Sequence, residues 1–170
     1  MLAEQARNVD TLIMRESVYV ETSVFSFYHD PRTAPEIVAM RDWTRQWWDT
    51  CRQKYDLATS AAVLDELDVG DLPHRREALA MARRLPAVPI EKEAKEIAQI
   101  YINQRVMPRD PLGDALHLAL ASFHKFDFLL TWNCRHLANA NKFGHIRRVN
   151  VLLELHIPAL VTPLQLLAED

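Results

Sequence analysis

Short apolar runs, "SVYV" from Ser17, "YDLATS" from Tyr55 and "FDFLL" from Phe126, are separated by longer stretches in which apolar residues return at helical spacing. Strands that read as continuous apolar runs, without in-out alternation, are buried on both faces, and a parallel sheet covered by helices buries them in that way. This element order predicts an α/β fold. In such sheets ligands gather beyond the carboxyl ends of the strands, near the point where strand order reverses. The first run ends there in Glu21-Thr22-Ser23. A carboxylate at the end of a buried strand is costly unless it has a partner.

The 170 residues, 49% apolar and 25% charged, suffice for one core-forming domain. Residues 1–15 are polar and without a firm period, so they are expected to form a flexible tail before a domain over 16–170, with Met14 as an alternative start. After a turn at His29 to Arg32, Pro35 opens a helix through Ile37, Met40, Trp43, Trp47 and Cys51 that is expected to reach Tyr55. A helical turn follows "YDLATS" and ends at Gly70, and a further helix spans about His74 to Leu85. "PAVPI" is a short strand candidate, and Ala94, Ile97, Ala98 and Tyr101 mark an amphipathic helix from Glu91 to Arg105. Asp110 as N-cap and Pro111 at the first helical position start the next helix, which runs to about Lys125. The last third predicts a helix from Phe143 to Leu155, a strand from Ala159 to Thr162 and a closing turn.

A net charge of −3 excludes a domain that holds nucleic acid by bulk positive charge, so any such contact must be local. Cys51 and Cys134 lie far apart and imply no disulfide framework, which fits a reducing cytoplasm. Cys134 and His136 lack the second ligand pair that a zinc site needs, and the three glycines form no phosphate loop or dinucleotide fingerprint. No apolar run approaches membrane-spanning length, so no membrane association is expected.

Further polar positions can converge on the strand edge. Glu66 follows the second strand, with Val63 and Leu67 on the opposite helical face. Asp114 and His117 share the polar flank of a helix whose Ala115, Leu118 and Ala119 face the sheet, and Asn133 ends "FLLTWN". Thr22 or Ser23 adds a hydroxyl beside Glu21. Carboxylates drawn together repel one another unless a cation neutralises them, and Mg²⁺ or Mn²⁺ prefers hard oxygen ligands. Such an ion polarises phosphoryl groups and activates water, so the implied chemistry is phosphodiester hydrolysis. Asp110 is already explained as a cap, and Glu91, Glu93 and Glu96 form a solvated helix face.

"VYVETSVFSFY" resembles the first strand of a PIN domain, the fold of VapC-type toxins of toxin–antitoxin systems, where the strand usually ends in Asp-Thr/Ser-Ser/Asn. "SAAVLDEL" resembles that family's second acidic segment, "DPLGDALHLALA" its Asp-Ala helix and "FLLTWNCRHLANA" its fourth segment, normally Thr-x-Asp. The resemblance extends over nearly the whole chain from Ser17. It implies a three-layer sandwich around a parallel sheet of about five strands. It also implies Glu21, Glu66, Asp114 and Asn133 as the catalytic set, with Glu21 and Asp114 as ligands of Mg²⁺ or Mn²⁺ and Thr22 and Ser23 supporting them. The implied activity is RNA cleavage, with a cognate antitoxin as inhibitor and homodimers as a common state. Two residues depart from the pattern: Glu21 replaces an Asp and Asn133 replaces an acid. They sustain the competing reading, a non-catalytic PIN-like module that binds RNA or protein. Arg135, His136 and Lys142, with Arg147 and Arg148, suit RNA phosphates or an ordinary solvated surface equally. Trp43 and Trp47, at i and i+4, suit core or interface equally, and Trp48 is the stronger partner-binding candidate.

Overall fold

This computed structural model describes residues 14–69, 73–109 and 112–168. The expected tail over 1–15 falls almost wholly outside them, as do the helix stop at Gly70 and the helix start at Asp110-Pro111.

The first strand, β1 (Ser17–Val20), is central and pairs in parallel with β2 (Asp56–Ser60) on one side and β4 (Phe128–Leu130) on the other. β3 (Ala87–Val88) flanks β2 and β5 (Ala159–Val161) flanks β4, so the five-stranded sheet runs β3-β2-β1-β4-β5. Seven helices among the described residues flank it: α1 (Thr22–Tyr28), α2 (Pro35–Thr50), α3 (Ala61–Asp68), α4 (Pro73–Ala82), α5 (Lys92–Asn103), α6 (Leu112–Phe123) and α7 (Ala140–Leu152). The chain winds outward from β1 to β3, then crosses back through α5 and α6 to β4 on the far side of β1. Strand order therefore reverses between β1 and β4, and the crevice this creates lies just beyond Val20 and Leu130.

The apolar runs are buried as expected: Val18, Tyr19, Val20, Leu129 and Leu130 are fully covered. The register Val18↔Phe128 and Val20↔Leu130 aligns the two strand ends that frame the crevice. α2 stops at Thr50, short of the expected Tyr55, and a 3₁₀ turn over Arg52–Lys54 carries the chain into β2. α7 begins at Ala140, earlier than Phe143, because the Asn139 side chain caps it by accepting from the Asn141 N–H at 3.0 Å.

The segment after Glu21 folds as a helix that its short apolar pattern did not mark. Glu21 is its N-cap, extended at φ −85° and ψ 160°, and its carboxylate accepts from the Ser23 N–H. α1 buries Val24 and Phe25 and packs against α2. That packing corrects the expectation for Trp48, which is 7% exposed and meets the rings of Phe25 and Tyr28 edge-on. Trp47 is fully buried on the neighbouring face and stacks on Tyr55. Trp43 is half-buried and stacks on Trp132.

Candidate active site

Glu21, Glu66 and Asp114 line one cleft of about 600 Å³ at the carboxyl edge of the sheet, together with Thr22, Gly113 and His117. β1 delivers Glu21 to the edge, where its backbone N–H donates to Leu130 O at 3.1 Å. Its Oε2 accepts from Thr131 Oγ1 at 2.8 Å and from the Ser23 hydroxyl and N–H, which leaves Oε1 toward the cleft group His117 at 3.9 Å. Ser23 also accepts from the Trp132 N–H at 2.8 Å, tying α1 to the segment after β4.

Ser60 ends β2 and caps α3 by accepting from the Val63 N–H, and this start angle brings Glu66 round to the cleft. Thr22 Oγ1 donates to Glu66 Oε2, and both carboxylate oxygens lie 3.1 Å from His117 Nε2. Gly113 makes room for this contact, since a Cβ there would stand 2.5 Å from Glu66 Oε1. Asp114 sits in the first turn of α6 and is buried at 6% exposure. Its Oδ1 accepts from Asn133 Nδ2 at 2.7 Å, while its Oδ2 is buried without a hydrogen-bond partner.

The charges divide this site into two halves. Burial would lower the pKa of His117, but its hydrogen bond to Glu66 and the charges of Glu21, Glu66 and Asp114 outweigh it and hold the imidazole above its ordinary range. Glu66 responds in kind: burial would raise it, yet His117 and Thr22 hold it below the ordinary carboxylate range. At Asp114 burial and then the charge of Glu21 push the pKa up, outweighing the charges of His136 and His117 and the hydrogen bond from Asn133. A buried carboxylate oxygen without a donor, beside a second carboxylate, fits a divalent cation bound in the cleft.

The sequence-derived set therefore meets in space. Thr22 supports Glu66, Ser23 supports Glu21, and Asn133 binds Asp114 while its Oδ1 accepts from the His136 N–H at 3.0 Å. Of the basic group, Arg135, Arg147 and Arg148 are exposed, Lys142 is half-buried with Nζ donating to Val106 O at 3.1 Å, and His136 lies close enough for its charge to act on Asp114. Three contributions went unassigned in the sequence. His117 had a signal, its position three residues after Asp114 on one flank. Tyr19 looked like a core strand residue, yet its hydroxyl lies 2.7 Å from both His117 Nδ1 and Ser60 Oγ. Arg75 of α4 lines the cleft and donates to Glu66 O at 3.4 Å and to Val69 O, with no local pattern to announce it.

A five-stranded all-parallel sheet of order β3-β2-β1-β4-β5 flanked by helices is a PIN-like α/β sandwich. Among solved structures the chain is similar to VapC20 of Mycobacterium tuberculosis, with a TM-score of 0.52 and 15% identity over 70% of this chain and 92% of that one. VapC20 is a toxin that cleaves the sarcin–ricin loop. No family model and no curated protein sequence matches this chain. Among the described residues no helix is long and apolar enough to cross a membrane.

Proposed function

We propose that this protein is a metal-dependent endoribonuclease acting as the toxin of a toxin–antitoxin pair. The observation that carries this reading is the buried, unpartnered Oδ2 of Asp114 in a cleft that also receives Glu21 and Glu66. Glu21 and Asp114 are the carboxylates that would hold Mg²⁺ or Mn²⁺, and Glu66, oriented by Thr22 and His117, completes the acidic set. Such a cation supplies charge neutralisation and Lewis acidity at a phosphoryl oxygen. Asn133 fixes Asp114, and Arg135, His136 and Lys142 hold RNA phosphates outside the cleft. Cytoplasmic location, a cognate antitoxin that blocks the cleft and a homodimeric state belong to this reading.

Asn133 favours a second reading, a non-catalytic module that binds RNA or protein, because its amide donates to Asp114 where an acid would add a charge for a metal. One experiment separates the two. Purified protein is incubated with labelled single-stranded RNA, including a sarcin–ricin loop oligonucleotide, in Mg²⁺, Mn²⁺ or EDTA, with Asp114→Asn in parallel. Metal-dependent cutting that the variant lacks is the expected result. A folded protein that binds RNA but cuts it with neither metal would establish the binding module.

A further inference from the structure

Building on the nuclease reading, we propose that His117 is itself a metal ligand, which with Glu21 and Glu66 makes a mixed carboxylate–imidazole centre selective for Mn²⁺ over Mg²⁺. Each of these three residues offers a ligand atom, and the three atoms lie within 4.8 Å of one another. Neighbouring ligands on an octahedral ion stand about 3 Å apart and opposite ones about 4 Å, given metal–oxygen distances of roughly 2.1 Å. His117 Nε2 lies 3.1 Å from Glu66 Oε1, to which it hydrogen-bonds, and 3.9 Å from Glu21 Oε1; both spacings fall in this range, so a cation that displaces the Nε2 proton would find the three groups near ligand distance. Asp114 lines the same cleft and its buried Oδ2 lacks a hydrogen-bond partner, an independent sign that a cation belongs there.

The far side of the ring supports the assignment. An imidazole that binds metal through Nε2 must carry its proton on Nδ1, and a hydrogen-bond acceptor there fixes that tautomer and the ring orientation. Tyr19 offers one: its hydroxyl oxygen lies 2.7 Å from Nδ1 and 2.7 Å from Ser60 Oγ, so in the metal-binding tautomer it would accept from Nδ1–H and donate onward to Ser60. Tyr19 is fully buried in β1 and Ser60 caps α3, so the relay is anchored in two elements and cannot drift. An oxygen-only centre would suit Mg²⁺, whereas imidazole shifts preference toward first-row transition ions. His117 thereby supplies a ligand where Asn133 withholds an acid.

The direct test is pulsed electron paramagnetic resonance of Mn²⁺ bound to the purified wild-type protein. Coupling to a directly bound imidazole nitrogen is expected, and it should vanish in His117→Ala, with Mn²⁺ affinity falling by more than the roughly 10- to 100-fold that loss of an outer-shell partner such as the Tyr19 hydroxyl costs. Tyr19→Phe, which keeps the ring volume, should retain the nitrogen coupling with weaker Mn²⁺ binding. Mn²⁺ bound to wild type through oxygen alone would overturn the proposal. The wild-type spectrum decides the question even where His117→Ala does not fold. Failure to bind Mn²⁺ at all would also overturn it, and RNA cleavage sustained by Mg²⁺ in that same protein would leave the nuclease reading intact.

Discussion

Burial and the nearby charge of Glu21 disfavour the ionised form of Asp114. Its raised pKa means that the folded state binds the proton more tightly than the unfolded chain, so ionisation costs stability. That cost is absent below the ordinary Asp range and complete once pH exceeds the folded value. At neutral pH, Asp114→Asn should therefore raise the melting temperature without metal, by roughly 2–4 °C for each kcal/mol relieved, and the gain should shrink on acidification below the ordinary Asp range. Thermal melts across pH test the sign; a variant less stable than wild type at neutral pH would refute it. Gly113 makes the opposite kind of prediction, one of function without stability. A methyl group there displaces the half-exposed Glu66 carboxylate, and helix propensity gains up to about 1 kcal/mol, so Gly113→Ala should melt at or above the wild-type temperature and lose cleavage about tenfold or more.

Three helices end alike, by a device that glycine usually provides. α5, α6 and α7 are followed by Arg105, Lys125 and Glu154 with φ of 56°, 59° and 55°, and the next residue's N–H returns to the carbonyl five positions back at 2.8–3.0 Å. A left-handed residue with a side chain costs about 1 kcal/mol relative to glycine, so Lys125→Gly should raise stability by about that amount in urea unfolding. The chain spends none of its three glycines at these stops, and so the expected helix ends rested on periodicity alone. Trp48 shows the limit of reading an element in isolation. Its helix is legible, but the partner covering it, α1, is not, because seven residues with Val24 and Phe25 adjacent carry little helical periodicity. Trp48→Ala should accordingly destabilise the fold by about 3–5 kcal/mol, a loss visible in denaturant melts of the isolated chain. α5, α6 and α7 share a buried polar knot in which Tyr101 donates to Asn150 Oδ1 at 2.6 Å beside Ser122. Tyr101→Phe leaves that acceptor unsatisfied and should cost about 1–3 kcal/mol.

Across the whole molecule, metal binding and folding are linked because the ligand groups come together only in the folded chain. An ion at a hundred times its dissociation constant stabilises by about 2.7 kcal/mol, so saturating Mn²⁺ should raise the melting temperature by roughly 5–10 °C. EDTA should reverse the shift, and Glu21→Gln should abolish it. The parallel sheet was legible from sequence because burial on both faces forces continuous apolar strands, and the pattern survives in "SVYV" and "FDFLL" without knowledge of their neighbours. The acids were legible for the same reason, since Glu21 interrupts a run that only a strand end can tolerate. Which atoms meet was not. The two carboxylate oxygens of Glu66 reach His117, 51 residues away, and Tyr19 reaches His117 across 98 residues, contacts set by strand order and helix placement. Composition and periodicity are local properties, so the sequence by itself determined the kinds of element, the buried faces and the residue types at the sheet edge. Tertiary structure alone decided that a core tyrosine orients a histidine, that α1 covers Trp48 and that Asp114 keeps one oxygen without a partner, because each depends on distances between segments that no local pattern encodes.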